Sequence, residues 1–409
     1  MINSALEGVV VLDLGRVLAG PYCGMILGDL GAEVIKIEAP DTGDDARAYP
    51  PFVNGESAYF MSLNRNKKSV VLNLKQPEGQ GVFKRLVSRA DIIVENFRPG
   101  TMDKLGLGYD ALKEINQRII YGAISGFGQN GPYAHKPAYD LIIQGMGGVM
   151  SLTAHAGGLP TRVGSAIGDI AAGMFGTIGI LAALRAREVT GKGQLVDVAM
   201  LDCQAALLEN AVARYWAAGE SPLPTGNRHP SITPFEAFPT KDHYVICAAG
   251  NDRLWGKFCL AIGKEELTHD ARFNTNALRT TNVAELESIL FGVFRGKTTK
   301  EWMEIMEAAG VPCGPINTID EVVADPQVKF REMVVEIDHP VAGKQLIHGK
   351  PIKLSETPGG PLRAAPVLAQ HTGQVLREYG LPPEEVDGLL RRGIIQDRPV
   401  GGRGEGDLS

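Results

Sequence analysis

Asp169 stands where a glycine-rich approach meets an apolar run: Gly164-Ser165-Ala166-Ile167-Gly168-Asp169 leads directly into Ile170 to Leu184. Read locally, it is a helix N-cap, a position that Asp fills well. The same placement also suits a nucleophile. A helix N-terminus holds a carboxylate ionised, and the ionised carboxylate is the form that attacks a thioester carbonyl. Cations gather elsewhere. Arg65-Asn66-Lys67-Lys68 precedes one expected strand and Lys75 follows it, while Arg98 and Lys104 follow the next. A charge run alone reads as a solvated face, but cations beside the ends of parallel strands suit a polyanionic ligand. The loop Gly126-Phe127-Gly128-Gln129-Asn130-Gly131-Pro132 reads either as a flexible turn or as a source of backbone N–H groups for an oxyanion. The eight histidines show no HExxH or comparable metal spacing, so no metal site is expected; His229, in Asn227-Arg228-His229-Pro230, stands out among them.

Positioning these groups requires strands alternating with helices. Val9 to Leu14 is a short apolar block followed by Ala19-Gly20-Pro21 and a helix over Tyr22 to Leu30, and a second strand covers Glu33 to Glu38. The alternation continues with a strand at Ser69–Leu74, a helix at Pro77–Arg89 and a strand at Asp91–Glu95. A helix at Tyr109–Asn116 and a strand at Arg118–Ile124 complete it. This spacing predicts a parallel, doubly wound sheet with ligands at the carboxyl ends of its strands. A dinucleotide reading fails on the glycines: Leu14-Gly15-Arg16-Val17-Leu18-Ala19-Gly20 is not GxGxxG. Helix is expected over Asp169–Arg187 and Val198–Trp216, and Gly173, Gly176 and Gly179 recur at helix-face spacing, which lets another backbone pack closely and hints at an interface. A polar boundary at Gly219–Pro230 precedes strands within Glu236–Ala248 and helices near Leu254–Ile262, Ala284–Phe294 and Thr299–Gly310. Pro326–Pro361 reads as an extended return, His371–Arg392 as a closing helical region, and the glycine-rich 401–409 as a disordered tail.

Composition narrows the class. A chain of 409 residues exceeds one ordinary core, so two domains are expected. With 41 Lys and Arg against 47 Asp and Glu, a net charge of −6 argues against a nucleic-acid partner. The five scattered cysteines, none in a CxxC pair, fit a reducing compartment, and Met1–Gly8 lacks the pattern of a secretory signal, so a cytoplasmic location is expected. Ile170–Leu184 is too short for a bilayer and reads as a buried helix, so no membrane association is expected.

The sequence resembles the class III coenzyme A transferases, the family of formyl-CoA and carnitine CoA-transferases that also contains α-methylacyl-CoA racemase. Motifs along nearly the whole chain carry the likeness. They include Val11-Leu12-Asp13 with Ala19-Gly20-Pro21, Gly28 to Glu38, Gly43-Asp44 with Arg47, and Asn64 to Ser69. They continue through Val94-Glu95-Asn96-Phe97-Arg98-Pro99-Gly100, Gly168-Asp169, Thr190 to Gln194, Gly310 to Pro315, and Pro366 to Thr372.

The resemblance implies an α/β fold with a Rossmann-like large domain over 1–200, a linker at 201–225 and a smaller α+β domain over 226–325. A return at 326–400 completes the large domain, and two chains form an interlocked homodimer. It implies Asp169 as the nucleophile and coenzyme A contacts at Val17, Leu18, Leu72, Asn73, Leu74, Lys75, Asn96, Phe97, Arg98, Lys104 and Tyr139. Leu18 stands where some members carry Gln, and Ala39 where an Arg is often found. The implied reaction moves coenzyme A between carboxylic acids through an aspartyl anhydride and an aspartyl-CoA thioester. Coenzyme A thioesters are then substrates, and no prosthetic group is needed. A racemase would place a His base where Pro137-Ala138-Tyr139-Asp140 has Tyr139, which favours transfer. Ala248 to Asp252 lacks the glycine-rich flap of formyl and oxalate enzymes, and Arg16 to Pro21, Gly43-Asp44-Asp45 and His229 to Pro234 resemble succinyl-CoA:dicarboxylate enzymes. Arg16, Arg47, Arg228 and His229 are the candidates for a second carboxylate.

Overall fold

The computed structural model describes residues 3–398; the tail expected to be disordered lies outside them. Six parallel strands, β1 (Val10–Asp13), β2 (Glu33–Glu38), β3 (Lys67–Leu72), β4 (Ile92–Glu95), β5 (Ile120–Ser125) and β6 (Leu195–Ala199), stand in the order 3-2-1-4-5-6. That is the order of a doubly wound Rossmann sheet, whose ligand crevice opens where the order reverses, here between β1 and β4. A seventh strand, Ile395–Gln396, runs antiparallel along the outer edge of β3.

Strands buried on both faces read as largely apolar runs, and β1 to β5 do so, with Lys36 and Ser69 as buried polar interruptions in β2 and β3. Alternate side chains serve two cores. Leu12, Ile35, Val70 and Ile93 pack under Phe83 and Leu86 of the helix Pro77–Val87 and under Val375, Leu376 and Leu389 of the closing helices. Val11, Val34, Val94 and Ile124 face Cys23 and Leu27 of the helix Ala19–Asp29 and Ala171, Ala172 and Ile180 of the long helix Ile167–Thr190.

The long helix departs from two expectations. Its glycines serve contacts inside this chain: an added Cβ at Gly173 would stand 2.9 Å from the Ala19 carbonyl oxygen, and one at Gly179 would stand 2.7 Å from Val196 Cγ1. The close approach therefore belongs to the chain's own first helix and sheet. Nor is the helix buried all round, since Met174, Phe175 and Ile178 lie exposed on its far side, Ile178 by 59%.

Two compact units divide the chain. One comprises the chain up to Val149 together with Arg162–Val212 and everything from Phe330 onward; the other is Met150–Thr161 with Ala213–Lys329. Residues 201–225, expected as a linker, hold the helices Met200–Leu207 and Asn210–Ala218. Cys203 and Gln204 of the first are buried with the sheet unit, and Gly147 makes room for it, because a Cβ there would meet Gln204 Cβ at 2.4 Å. The expected extended return contains a β-hairpin, Val334–His339 with Gly343–His348.

The second unit carries an antiparallel sheet of Phe235–Pro239, Tyr244–Ala248 and Cys313–Pro315 covered by the helices Asp252–Ala261, Val283–Phe294 and Thr299–Ala309. Aromatic rings fill its core: Phe294 lies 4.4 Å from Phe238 and 4.6 Å from Trp302, centroid to centroid.

Candidate active site

The β1–β4 switch point is built from the turn Gly15–Leu18, which links β1 to the helix Ala19–Asp29. The Asn96 side chain spans the point: its Oδ1 accepts from Arg16 N at 2.7 Å and its Nδ2 donates to Arg16 O at 2.9 Å. Val17 N donates to Asp44 Oδ1 at 2.9 Å. Beneath the turn lie two fully buried lysines. Lys36 Nζ stands 2.8 Å from Asp44 Oδ2 and donates to Gly15 O, and Lys67 Nζ donates to Asp13 Oδ2 at 2.7 Å. Burial alone would push both ammonium groups down. Around Lys36 the carboxylates of Asp44, Asp13 and Glu38 outweigh it and raise its pKa, whereas Lys67 falls to about 8.

Two clefts adjoin this turn. The larger, about 640 Å³, is lined by Arg16, Lys36, Leu72, Asn73, Leu74, Lys75, Phe97 and Lys104 among others. The smaller, about 310 Å³, is lined by Arg16, Val17, Leu18, Asn96, Phe97, Arg98, Tyr139 and Asp169. Every residue expected to contact coenzyme A therefore borders one cleft or the other. Arg16 and Phe97 border both, with the guanidinium 5.3 Å from the ring centroid. Lys75, Arg98 and Lys104 are exposed at the carboxyl end of the sheet, where a polyanion would meet them.

Arg65, Lys67 and Lys68 are not available in this way. They sit at the amino-terminal end of β3 and are already paired, Arg65 with Asp29 at 2.6 Å, Lys67 with Asp13, and Lys68 with Glu33 and Glu378. The loop Gly126–Pro132 also spends donors internally, with Gly128 N on Ser125 Oγ and Gln129 N on Asp197.

Asp169 is half-buried in the first turn of its helix and is not the cap, which is Ala166. Its carboxyl is pushed up to about 7, first by burial and then by the Asp140 charge, so the helix terminus does not hold it ionised as expected. Asp140 is fixed in turn, accepting from Gly168 N at 2.8 Å through Oδ1 and from Gln144 Nε2 at 2.7 Å through Oδ2. Tyr59 lies close enough that burial and the Asp169 charge push its hydroxyl up to about 12, and its ring meets Tyr49 edge-on at 5.6 Å.

Sequence reasoning missed Lys36, Asp44, Tyr49, Tyr59 and Asp140 as site residues. Lys36 carried a readable signal, as a cation in the middle of the largely apolar strand Val34-Ile35-Lys36-Ile37 that must find a buried partner, and Asp44 stood in a visible motif with no role attached to it.

The candidates for a second carboxylate separate. Arg47 is committed to Glu38, with Nε to Oε2 at 2.7 Å and Nη2 to Oε1 at 2.8 Å, and lies 3.6 Å from the Phe60 ring centroid. Arg228 and His229 belong to the second unit, where Arg228 meets Glu287 at 3.3 Å and His229 stacks on Phe235. Arg16 alone of the four stands at the switch point with its side chain partly exposed (42%), its guanidinium over Phe97 and no described ion pair closer than the 3.6 Å contact to Asp45.

Comparison with known proteins agrees with this geometry. The chain is 42% identical over 393 residues to mouse (Mus musculus) succinyl-CoA:glutarate CoA-transferase, covering 96% of this chain and 90% of the relative. It is 42% identical to the acetyl-CoA:oxalate CoA-transferase of Acetobacter aceti, covering 92% and 96%. A solved CAIB/BAIF family protein from Brucella suis superposes with a TM-score of 0.82 at 41% identity, covering 92% of this chain and all of that one. Residues 6–372 match the family described as CoA-transferase family III, and the chain belongs to that family of enzymes acting on coenzyme A thioesters.

Proposed function

We propose that the enzyme moves coenzyme A from succinyl-CoA to a dicarboxylic acid through covalent adducts on Asp169. The observation that carries this reading is the placement of a half-buried carboxylate in a small cleft that shares Arg16 and Phe97 with a larger one beside Lys75 and Lys104. The relatives support the acceptor class, because glutarate and oxalate are both dicarboxylates. They differ in donor, succinyl against acetyl, so rates with a panel of acyl-CoA donors decide the donor.

In this mechanism the Asp169 carboxylate attacks the donor thioester, and the C–S bond breaks to leave a mixed anhydride and CoA thiolate. The thiolate attacks the Asp169 acyl carbon, releasing the donor acid and forming an aspartyl-CoA thioester. The acceptor carboxylate displaces the thiolate to form a second anhydride. Thiolate attack on the acceptor carbonyl then yields the product and frees Asp169. Each addition builds charge on a carbonyl oxygen, and the first turn of Ala19–Asp29, which no side chain caps, opens on the same cleft to receive it.

The nucleophile is the ionised form, and Asp169 titrates at about 7. Below that value kcat/KM should fall about tenfold per pH unit, and above it the profile should level. Asp140→Asn, which removes the neighbouring charge, should move this limb to lower pH. A profile flat from pH 5 to 8 would contradict the assignment.

Arg16 is the residue assigned to the distal carboxylate. A charged hydrogen bond of this kind is worth about 1.5–3 kcal/mol, so Arg16→Ala should reduce kcat/KM for glutarate by roughly 10- to 100-fold more than for butyrate. Arg47→Ala should instead lower stability, because it strips the buried Glu38 of its directly paired cation and leaves Ser69 Oγ and Asp44 N as the described donors to it. If Arg228→Ala produces the selective loss and Arg16→Ala does not, the assignment moves to the second unit.

The exposed apolar residues Met174, Phe175 and Ile178, with Leu141, Ile142 and Met146 of the helix Asp140–Met146, form the surface we assign to a second copy in an interlocked homodimer. Interlocked chains cannot part without unfolding. Sedimentation should show a dimer down to submicromolar concentration, and a folded monomer there would remove the reading. The five unpaired cysteines support a cytoplasmic location.

A further inference from the structure

Val17 has φ +61°, in the left-handed region that a β-branched side chain strongly disfavours. Something must hold it there. The turn has little room to relax, since a Cβ added at Gly15 would lie 2.8 Å from the Gly20 backbone. Asn96 fixes Arg16 from one side. On the other side the only hydrogen bond described for the Val17 amide goes to Asp44 Oδ1, which also accepts from Ala46 N at 2.9 Å. Asp44 is itself buried and immobilised, with its second oxygen on Lys36 and its own N–H on Glu38 Oε2 at 3.0 Å. Lys36 closes the loop by donating to Gly15 O at 2.7 Å, so one buried pair grips the turn at both ends.

We propose that Asp44, anchored by Lys36, is a positioning residue for coenzyme A transfer that holds the Gly15–Leu18 turn in its strained conformation and thereby sets the wall shared by the two clefts. The inference rests on the site reading above. Asp44 touches no reacting atom, and its effect passes through the backbone of Val17 and the side chain of Arg16. The strain is what makes the tether necessary, and it supplies the test. With glycine at position 17 the left-handed conformation carries no side-chain penalty, so the turn keeps its shape with less help.

The experiment is a double-mutant cycle in the full-length enzyme, with kcat/KM for succinyl-CoA measured per folded protein. Asp44→Ala, which removes the acceptor of the Val17 amide, should lower kcat/KM in the wild-type background. In the Val17→Gly background the same change should cost about 5- to 30-fold less, the size of the left-handed penalty for a residue bearing a Cβ. Asp44→Glu keeps the charge opposite Lys36 but moves the carboxylate away from the Val17 amide. It should show the same coupling, and it serves if Asp44→Ala fails to fold. Equal costs in the two backgrounds, for whichever variant folds, would overturn the proposal and leave Asp44 as a structural partner of Lys36 only. Failure of the nucleophile assignment would appear separately, because Asp169→Asn activity does not enter the cycle.

Discussion

Asp169→Asn should fold, bind acyl-CoA and lose turnover by on the order of 10⁴-fold or more, since an amide can form neither the anhydride nor the thioester. Because Ala166 occupies the cap, the substitution removes no capping bond from the helix. It should even relieve the fold. Asp169 titrates at about 7 in the folded chain against an ordinary value of 3.8, so its charged form is the one that burial and Asp140 penalise. That penalty is absent below pH 3.8, grows as pH rises towards 7 and is complete above it. The melting temperature of the Asn variant should therefore match or exceed that of wild type at pH 8, with the gap closing near pH 4. Wild type incubated with succinyl-CoA and hydroxylamine should yield a modified peptide containing Asp169. An adduct confined to another residue, such as Cys23, or substantial activity in the Asn variant, would remove the proposed mechanism.

The second large effect is on stability. Asp13 and Lys67 are both fully buried and 2.7 Å apart, with the ammonium also donating to Pro21 O and Asn64 Oδ1. Asp13→Ala removes the one carboxylate in contact with that cation among the described residues and should cost about 3–5 kcal/mol. At roughly 2–4 °C per kcal/mol for a unit of this size, the melting temperature should drop by about 6–20 °C. Replacing both partners with apolar residues, as in Asp13→Leu with Lys67→Met, should recover much of the loss. A shift under 2 °C for the single variant would mean that water or a rearranged partner compensates Lys67.

What the sequence disclosed follows from how each element is buried. The strands β1 to β5 announce themselves because burial on both faces demands predominantly apolar, β-branched runs. The edge strand β6, Leu195-Val196-Asp197-Val198-Ala199, alternates with exposure and runs straight into a helix, so its sequence reads as helix from Val198 onward. The hairpin over Val334–His348 is half exposed and rich in charge, and only its pairing reveals it. At the site, the residues on the β1 and β4 loops were legible because a parallel sheet brings consecutive carboxyl ends together. Arg65 and Lys68 do not meet the ligand end because Arg65 precedes β3 and Lys68 is its second residue, so both lie at the strand's other end. Asp140 and Tyr59 reach Asp169 from 29 and 110 residues away, and no local pattern encodes that distance. The same holds for Asp44, whose motif was visible but whose grip on Val17 was not.

The strand Ile395–Gln396 and the helices before it cover the outer edge of β3, and complete the cover that the helix Pro77–Val87 begins over one face of the sheet, only from the far end of the chain. During synthesis, β1 to β6 emerge long before that cover exists, and Ala213–Lys329 of the second unit is made in between. A nascent chain stalled before Thr372 thus carries an open strand edge beside uncovered apolar side chains, a template for pairing with a neighbouring chain. Ribosome-bound intermediates of this protein should accordingly depend on chaperone protection until nearly the last residue of the sheet is made.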